Sequence, residues 1–190
     1  KMPNVVYVSL SGTESVNHDV VFSDAYKAAR SVMGEFFRLG HRQIAYVGEK
    51  RREMRYAGYR DAMQEQGLRE LSVDAEQTMD GGYTGMETLL CAGDPFTAVF
   101  CANDEAAMGA IKALRGHGKE VPRDVSVISV DDIDVASYFS PMLTTVHIPI
   151  NELGRQAARV MVDRISNARK IALRLELPSS LSRRDSSREK

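Results

Sequence analysis

This sequence has few cysteines, nearly balanced charges and no long apolar run. Its 190 residues include only Cys91 and Cys101, both in apolar segments, which favours reduced, buried thiols over a disulfide or redox pair. The 25 Lys and Arg nearly balance the 26 Asp and Glu, so the chain alone has no broad positive field for nucleic acid or anionic lipid. No apolar run approaches the roughly 18 residues of a membrane span, and no signal peptide opens the sequence. These absences favour a cytoplasmic protein.

The usual motifs of catalysis, phosphate binding and metal binding are also missing. The sequence contains neither G-x-G-x-x-G nor a Walker loop, and Gly81-Gly82 precedes a helix without the lysine of a phosphate loop. The serine pairs of the C-terminal segment have no glycine elbow around them. Three histidines show no metal-ligand spacing with either cysteine: His18, His117 and His147. We therefore expect no enzyme, no metal site and no cofactor.

Strand-like and helix-like segments alternate along the chain. The segment 25–39 carries apolar residues three and four positions apart, which predicts a helix with one buried face, and Gly40 ends it. Further helices are predicted at 54–66, 83–91, 105–116 and 151–165, and strands at 5–8, 44–47, 98–102, 125–130 and 173–177. Near-continuous apolar strands separated by helices indicate an α/β fold with doubly wound parallel sheets. The polar residues at the C-terminal end are expected to fray.

Polar side chains follow two of these strands at the point where each strand ends. Asn103-Asp104 comes directly after one apolar strand, and Asp131-Asp132 ends another. In open parallel sheets, ligands bind at the carboxyl ends of the strands. We expect Asp104 and Asp132 to cap the elements that follow. Asn103 and Asp131 are then the residues placed to hydrogen-bond a hydroxylated small molecule.

Arg55 is a third candidate for the same edge of the sheet. It lies among other arginines, so a solvated basic face is the simpler explanation of the segment. The strand at 44–47, however, should place its following loop on the same rim as Asn103. The planar guanidinium of an arginine can donate two hydrogen bonds to vicinal hydroxyls or to a carboxylate.

A possible subunit interface is indicated by two aromatic residues near a helix of small residues. Tyr138 and Phe139 follow a predicted strand, and Ala106 and Ala110 belong to the helix beside it. Aromatic residues are enriched in interface cores, and small residues permit close helix approach. Packing within one chain is the alternative. We expect a symmetric homodimer.

Three runs of sequence carry a resemblance to a known family. They are Asn103-Asp-Glu-Ala-Ala-Met-Gly-Ala-Ile-Lys-Ala-Leu-Arg, Val121-Pro-Arg-Asp-Val-Ser-Val-Ile-Ser-Val-Asp-Asp-Ile and Pro141-Met-Leu-Thr-Thr-Val-His-Ile-Pro. With further matching runs between about residues 19 and 186, they keep the order and spacing of that family. The sequence resembles the effector-binding domain of lac-repressor/galactose-repressor-type transcription regulators.

This resemblance implies two Rossmann-like lobes similar to periplasmic sugar-binding proteins, with a truncated N-terminal lobe. Residues 1–22 and 149–177 would form part of the N-terminal lobe and the crossings, and residues 23–148 and 178–190 the C-terminal lobe. Family members bind a sugar, nucleobase or related small molecule between the lobes. That binding alters how a homodimer presents its N-terminal helix-turn-helix domains, which this sequence lacks, to operator DNA.

The resemblance also implies which residues contact the effector. The family's effector-contacting arginine corresponds to Arg55, its ligand-binding asparagine to Asn103 and the first acid of its Asp-Asp pair to Asp131. Phe22 matches an aromatic or apolar position that often lines the pocket. The identity of the effector stays open. A solute-binding receptor of a transport system is the alternative function, against which the unpaired cysteines and the Tyr138-Phe139 pair weigh.

Overall fold

The protein is described by a computed structural model covering residues 5–9, 18–51 and 53–190. Its strands are β1 (Val6–Ser9), β2 (Asp19–Phe22), β3 (Ile44–Val47), β4 (Leu71–Val73), β5 (Ala98–Cys101), β6 (Ser126–Asp131), β7 (Thr144–His147), β8 (Arg174–Glu176) and β9 (Ser180–Ser182). Its helices are α1 (Ala25–Arg38), α2 (Met54–Glu65), α3 (Met79–Ala92), α4 (Asp104–Gly116) and α5 (Ile150–Ser166). A short 3₁₀ turn, Asp134–Ser137, follows β6.

The chain divides into two compact units. The smaller contains the described part of Lys1–Ala25 together with Ile148–Ser179, and the larger contains Tyr26–His147 with Ser180–Lys190. The larger unit has a six-stranded sheet in the order β4-β3-β5-β6-β7-β9. Every pair of neighbouring strands in it is parallel except the last, in which β9 runs antiparallel to β7. The predicted α/β class with a parallel sheet is confirmed.

Helices cover both faces of this sheet, because alternate residues of its central strands are buried on opposite sides. Val99 and Cys101 pack in one core with the apolar residues of α3 and α4. Tyr46 and Phe100 lie on the other face, where Tyr46 stacks on Tyr59 of α2 at 5.3 Å between ring centroids. Strands buried on both faces need continuous apolar sequence, which is what β3 and β5 have. The doubly wound arrangement follows from that burial.

The first helix forms as its apolar spacing predicts. Its buried residues recur three and four positions apart and are Ala28, Ala29, Val32, Met33 and Phe36. Gly40 follows the helix with a φ of +86°, a conformation that costs glycine little, and the chain then turns into β3. The observed end at Arg38 lies one residue before the predicted one.

Helices α3 and α4 pack unusually closely because glycine occupies their contact. A Cβ atom built on Gly82 would lie 2.0 Å from the carbonyl oxygen of Ala106, and one on Gly109 would lie 1.9 Å from that of Met79. Both obstructing atoms belong to the backbone. The sequence alone placed the start of α3 at residue 83, but the helix begins at Met79, with the Thr78 side chain accepting a hydrogen bond from the Gly81 amide.

Four strands, one cysteine and the C-terminal tail correct the sequence-based expectations. Strands β2, β4, β7 and β9 were not predicted as strands, because segments of three or four residues carry little periodicity. Cys101 is buried as expected, whereas Cys91 is exposed on the outer side of α3. The tail does not fray: the Ser186 hydroxyl is buried between β6 and β7, and the Lys190 amide donates to the Leu39 carbonyl at 3.0 Å.

The smaller unit holds a three-stranded parallel sheet in the order β1-β2-β8, against which α5 packs. A completely buried carboxylate joins its elements. Asp19 accepts hydrogen bonds from Arg164 and Arg169 and from the Leu173 amide. A charge can be buried in this way only when it is paired, so these contacts fix α5 and β8 on β2.

Candidate ligand-binding site

The candidate site lies at the carboxyl edge of the larger sheet. Strands β3, β5 and β6 are consecutive neighbours, and Phe100 of β5 is paired with Ile128 of β6. The same parallel register, continued three residues along each chain, places Asn103 opposite Asp131 at one edge of the sheet. Loops from neighbouring parallel strands meet at such an edge, where α/β proteins bind their ligands. The predicted side-by-side exit of these two residues is confirmed.

Arg55 reaches this edge from the first turn of α2. Its Nη1 donates to the carbonyl oxygen of Ala102 at 2.8 Å, and the same atom lies 4.0 Å from Oδ1 of Asp131. Its side chain is only 13% exposed, so it is not part of a solvated basic face. The structure thus brings two of the predicted residues, Arg55 and Asp131, together.

Two residues that the sequence did not suggest hold this arginine in place. Glu53 accepts from Nε and Nη2 of Arg55 at 3.0 and 3.1 Å, and Gln77 accepts from Nη2 at 2.7 Å. Burial raises the pKa of Glu53, but the hydrogen bonds from Arg55 outweigh it, and the net pKa lies below the usual value. Glu53 is therefore ionised. The position of Glu53 just before a predicted helix start could have indicated its role. Nothing in the sequence could have indicated Gln77, because it lies 22 positions from Arg55.

Asn103 is built into the same network and caps α4. Its Oδ1 accepts from the Ala106 amide at 2.9 Å, and its Nδ2 donates to the backbone carbonyl of Gln77 at 3.0 Å. The expectation that Asp104 would cap this helix is wrong, because the cap falls one residue earlier, on Asn103. An amide nitrogen has two donors, so one N–H of Asn103 is left for a ligand. Its ligand contact stays a prediction.

Asp131 presents the least satisfied carboxylate at this edge. Among the residues the structure describes, its only charged contact is Arg55 at 4.0 Å, and no hydrogen bond reaches it. Burial raises its pKa to about 6, and although Arg55 opposes that shift, the nearby Asp104 and Glu53 add to it. Its backbone φ is +119°, a strained value for a residue with a side chain. Ligand contact by Asp131 remains a prediction.

The neighbouring acids hold this strained turn in place. Oδ1 of Asp104 accepts from the hydroxyls of Ser129 and Thr145 at 2.5 and 2.6 Å, and its Oδ2 accepts from the Ile133 amide at 2.8 Å. Burial raises the pKa of Asp104 in spite of these donors.

Asp132 accepts from Arg184 at 2.7 Å and from Ser182 at 3.0 Å. The expectation that Asp132 caps the following turn is therefore wrong, because Ile133 occupies that cap position. Asp104 and Asp132 anchor the turn between β6 and the 3₁₀ segment from either side. That anchoring keeps Asp131 at the edge of the sheet.

Phe22 belongs to the smaller unit, where it is the last residue of β2. The guanidinium of Arg174 lies over its ring, 5.2 Å from the centroid, and its carbonyl accepts from the Leu177 amide at 2.8 Å. These contacts hold the ring in place within its own unit. Its role in ligand binding stays a prediction.

The residues expected at a subunit interface separate into two groups. Tyr138 is 86% exposed, and Phe139 lines an apolar groove of about 550 Å³ between α3, α4 and the 3₁₀ turn. Ala106 and Ala110 are completely buried. The idea that these alanines face a partner is corrected, because the small residues of α4 bring α3 close within the chain. Dimerisation itself stays a prediction.

Over residues 5–9, 18–51 and 53–190, no three His, Cys, Asp or Glu side chains are grouped to hold a metal ion. Within the same residues, no helix combines the length and the apolar character needed to cross a bilayer.

Comparison with known proteins agrees with this fold. Residues 33–187 match the family model of the periplasmic binding protein-like domain. The sequence is 36% identical over 174 residues to the HTH-type transcriptional repressor PurR of Erwinia tasmaniensis, covering 87% of this chain and 51% of that protein. The chain spans about half the length of the curated relatives it matches.

Two solved structures share most of the fold. A LacI family transcriptional regulator from Enterococcus faecium with bound ribose superposes with a TM-score of 0.88 at 29% identity, covering 97% of this chain and 70% of that one. The transcriptional regulator CelR in complex with cellobiose gives a TM-score of 0.86 at 31% identity, with coverages of 95% and 58%. The parallel α/β sheet and the matching family model define the class as a periplasmic-binding-protein-like domain. The chain belongs to the periplasmic-binding-protein-like domain family, in its lac-repressor/galactose-repressor group.

Proposed function

We propose that this chain is the small-molecule effector-binding and dimerisation part of a bacterial transcription regulator. The effector would be a sugar or a related metabolite, and its binding would control operator DNA binding allosterically. DNA would be contacted through a helix-turn-helix domain outside this sequence, in a cytoplasmic protein without enzymatic activity. Relatives that are transcriptional repressors support a regulator over a transport receptor.

One observation carries the ligand-binding part of this proposal. A buried, fixed guanidinium (Arg55) lies 4.0 Å from a carboxylate (Asp131) that accepts no hydrogen bond among the described residues. A hydroxyl oxygen between them can accept from Nη1 of Arg55 and donate to Oδ1 of Asp131. Satisfying a carboxylate that is largely removed from water is worth about 1.5–3 kcal/mol. The spare N–H of Asn103 supplies a further donor.

Regulation then requires that the ligand bind one arrangement of the protein better than another. Only such a difference in affinity shifts a population, and typical couplings are about 1–3 kcal/mol. We assign residues 1–22 and 149–177 to the N-terminal lobe and its crossings, and residues 23–148 and 178–190 to the C-terminal lobe. This assignment agrees to within a few residues with the two compact units of the chain.

The test begins with a thermal-shift screen of ribose, cellobiose, other neutral sugars and nucleobases. Calorimetry with the ligand found in the screen would then compare the wild-type chain with Arg55→Ala and Asp131→Ala. We expect each variant to lose affinity about tenfold or more, because the remaining partner is left unpaired. Arg60→Ala is the matched control, since Arg60 lies on the same helix, pairs with Asp61 and is half exposed. Unchanged affinity in both site variants would refute the assignment.

The proposed homodimer has a separate test. Exposed Tyr138 and the apolar groove that Phe139 lines support a partner on this surface. Sedimentation of the chain with Tyr138→Asp should show a shift toward monomer. Wild-type protein that sediments as a monomer at high concentration would contradict the dimer without affecting the ligand site.

A further inference from the structure

Glu53 accepts hydrogen bonds from the two groups at this edge that would otherwise attract an anion, the amino terminus of α2 and the guanidinium of Arg55. The amino terminus of a helix and the guanidinium of an arginine both favour negatively charged ligands. Oε1 of Glu53 accepts from the backbone N–H of Arg55 at 3.0 Å, at the amino terminus of α2. The same carboxylate accepts from Nε and Nη2 of the Arg55 side chain. It therefore stands where an external carboxylate or phosphate would bind.

Almost all of the hydrogen-bonding capacity of Arg55 is already used. Its Nε–H goes to Glu53, the two N–H groups of Nη2 go to Glu53 and Gln77, and one N–H of Nη1 goes to the Ala102 carbonyl. One N–H of Nη1 remains, on the atom that lies 4.0 Å from Asp131. The bidentate contact by which arginines bind anions is thus taken within the chain.

The pair is held too firmly to open without cost. The side chains of Arg55 and Glu53 are only 13% and 12% exposed, and Gln77 contacts both of them. Breaking one partner of a buried pair leaves an uncompensated charge, which strongly disfavours the open arrangement. An incoming anion cannot easily displace Glu53.

The charges that remain favour a neutral ligand. Arg55 and Glu53 offset one another, which leaves the negative charge of Asp131 facing the ligand. A neutral hydroxyl group can donate to Asp131 and accept from the free N–H of Arg55. An ionised carboxylate has no proton to donate, and both a carboxylate and a phosphate carry negative charge that Asp131 repels.

We propose that Glu53 is a specificity-determining residue that makes this edge selective for neutral, hydroxyl-bearing ligands such as an uncharged sugar or polyol. It excludes the carboxylate and phosphate forms of the same molecules. This inference rests on the proposed function, because it names the chemical class of effector for the same site. Glu53 acts through the charge and hydrogen bonds of Arg55 and touches no ligand itself.

The first experiment uses inorganic phosphate, so that it does not depend on knowing the effector. Binding is measured by thermal shift and calorimetry, with chloride at matched ionic strength as reference. Glu53→Gln keeps the shape and the cap but removes the charge, and we expect phosphate affinity to rise at least tenfold over wild type. Glu53→Gln with Arg55→Ala should abolish the gain.

Glu49→Gln is the matched control, because Glu49 is exposed in the same loop and is not among the hydrogen-bond or ion-pair partners of Arg55 described above. It changes the net charge equally and should leave phosphate binding unchanged. An equal gain in Glu49→Gln, or no gain in Glu53→Gln, would overturn the proposal.

The second experiment compares neutral and anionic members of matched pairs on the wild-type chain: glucose with glucuronate, and ribose with ribose 5-phosphate. We expect any neutral sugar that binds to be at least tenfold tighter than its anionic partner, and Glu53→Gln to narrow that ratio. An anionic partner that binds wild type equally well or better refutes the selectivity while leaving a ligand-binding role intact. If no sugar of either kind binds, the sugar-sensing function fails, and the phosphate experiment still decides the role of Glu53.

Discussion

Replacing Gly82 with alanine should destabilise the larger unit through a backbone clash. The added Cβ would lie 2.0 Å from the carbonyl oxygen of Ala106, far inside contact distance, and a backbone oxygen cannot rotate away. Overpacking costs about 1–3 kcal/mol, and this geometry belongs at the upper end. Alanine recovers about 1 kcal/mol of helix propensity. We expect a net loss of about 2 kcal/mol, which lowers the melting midpoint by about 4–8 °C for a chain of this size.

Gly34→Ala is the matched control for that variant. Gly34 lies within α1, it is exposed, and a Cβ there would meet nothing within 4 Å. The same chemical change should therefore stabilise the chain by about 1 kcal/mol and raise the midpoint by about 2–4 °C. Thermal unfolding followed by circular dichroism measures both. If Gly82→Ala melts at or above the wild-type temperature, the close helix contact is not as described.

Two further predictions concern pH. Because burial raises the pKa of Asp131 from 3.8 to about 6, ionising it costs folding free energy, and wild-type stability should fall as pH rises between those values. Asp131→Asn should remove that cost, so chemical denaturation should show it up to about 3 kcal/mol more stable than wild type at pH 7.5 and equal to wild type near pH 3.5. A variant that is less stable than wild type at pH 7.5 would contradict the burial argument. Hydrogen bonds from Arg38 and Arg183 lower the pKa of Glu35 from 4.5 to about 2, so this carboxylate stabilises the fold above pH 4.5 and loses its contribution as pH falls toward 2. Glu35→Gln should lower the free energy of unfolding by at most about 3 kcal/mol at pH 7, and by less in high salt, because both arginines are mostly exposed. As the pH is lowered, the variant should lose stability less steeply than wild type.

The sequence predicted the sheet edge well because each signal was local. An apolar run that stops at a polar pair marks a strand end wherever the neighbouring strands lie, and this logic placed Asn103 and Asp131 correctly. The helix that carries Arg55 was also predicted, at 54–66, and the observed α2 (Met54–Glu65) agrees with that range to within one residue.

What the sequence could not predict was the pairing of the polar groups. Asn103 and Asp104 can each cap a helix. The choice between them depends on Ser129 and Thr145, which lie on two other strands and donate hydrogen bonds to Asp104. The role of Gln77 likewise depends on the close approach of α3 and α4. Contacts between residues 22 or more positions apart decide most of the network, and no local pattern encodes them.

The exposure of small residues was misjudged for a related reason. Ala106 and Ala110 are compatible with a contact between subunits or with a contact inside one chain. The glycines of α3 and α4 favour the contact inside one chain, because they let the two helices approach until their backbones touch. Side-chain size alone cannot identify the partner helix.

The position of the last strand has a consequence for how this protein is made. Ser180–Ser182 pairs with Thr144–His147, and the Ser186 hydroxyl accepts from the Thr144 amide and donates to the Val127 carbonyl. A ribosome delivers these residues after the other strands of the larger sheet and after the whole of α5. Until they have been made, the larger unit has one open sheet border, and its Thr144 amide and Val127 carbonyl lack these partners. A nascent chain stalled shortly before Ser180 would expose that border to its neighbours on the same messenger RNA.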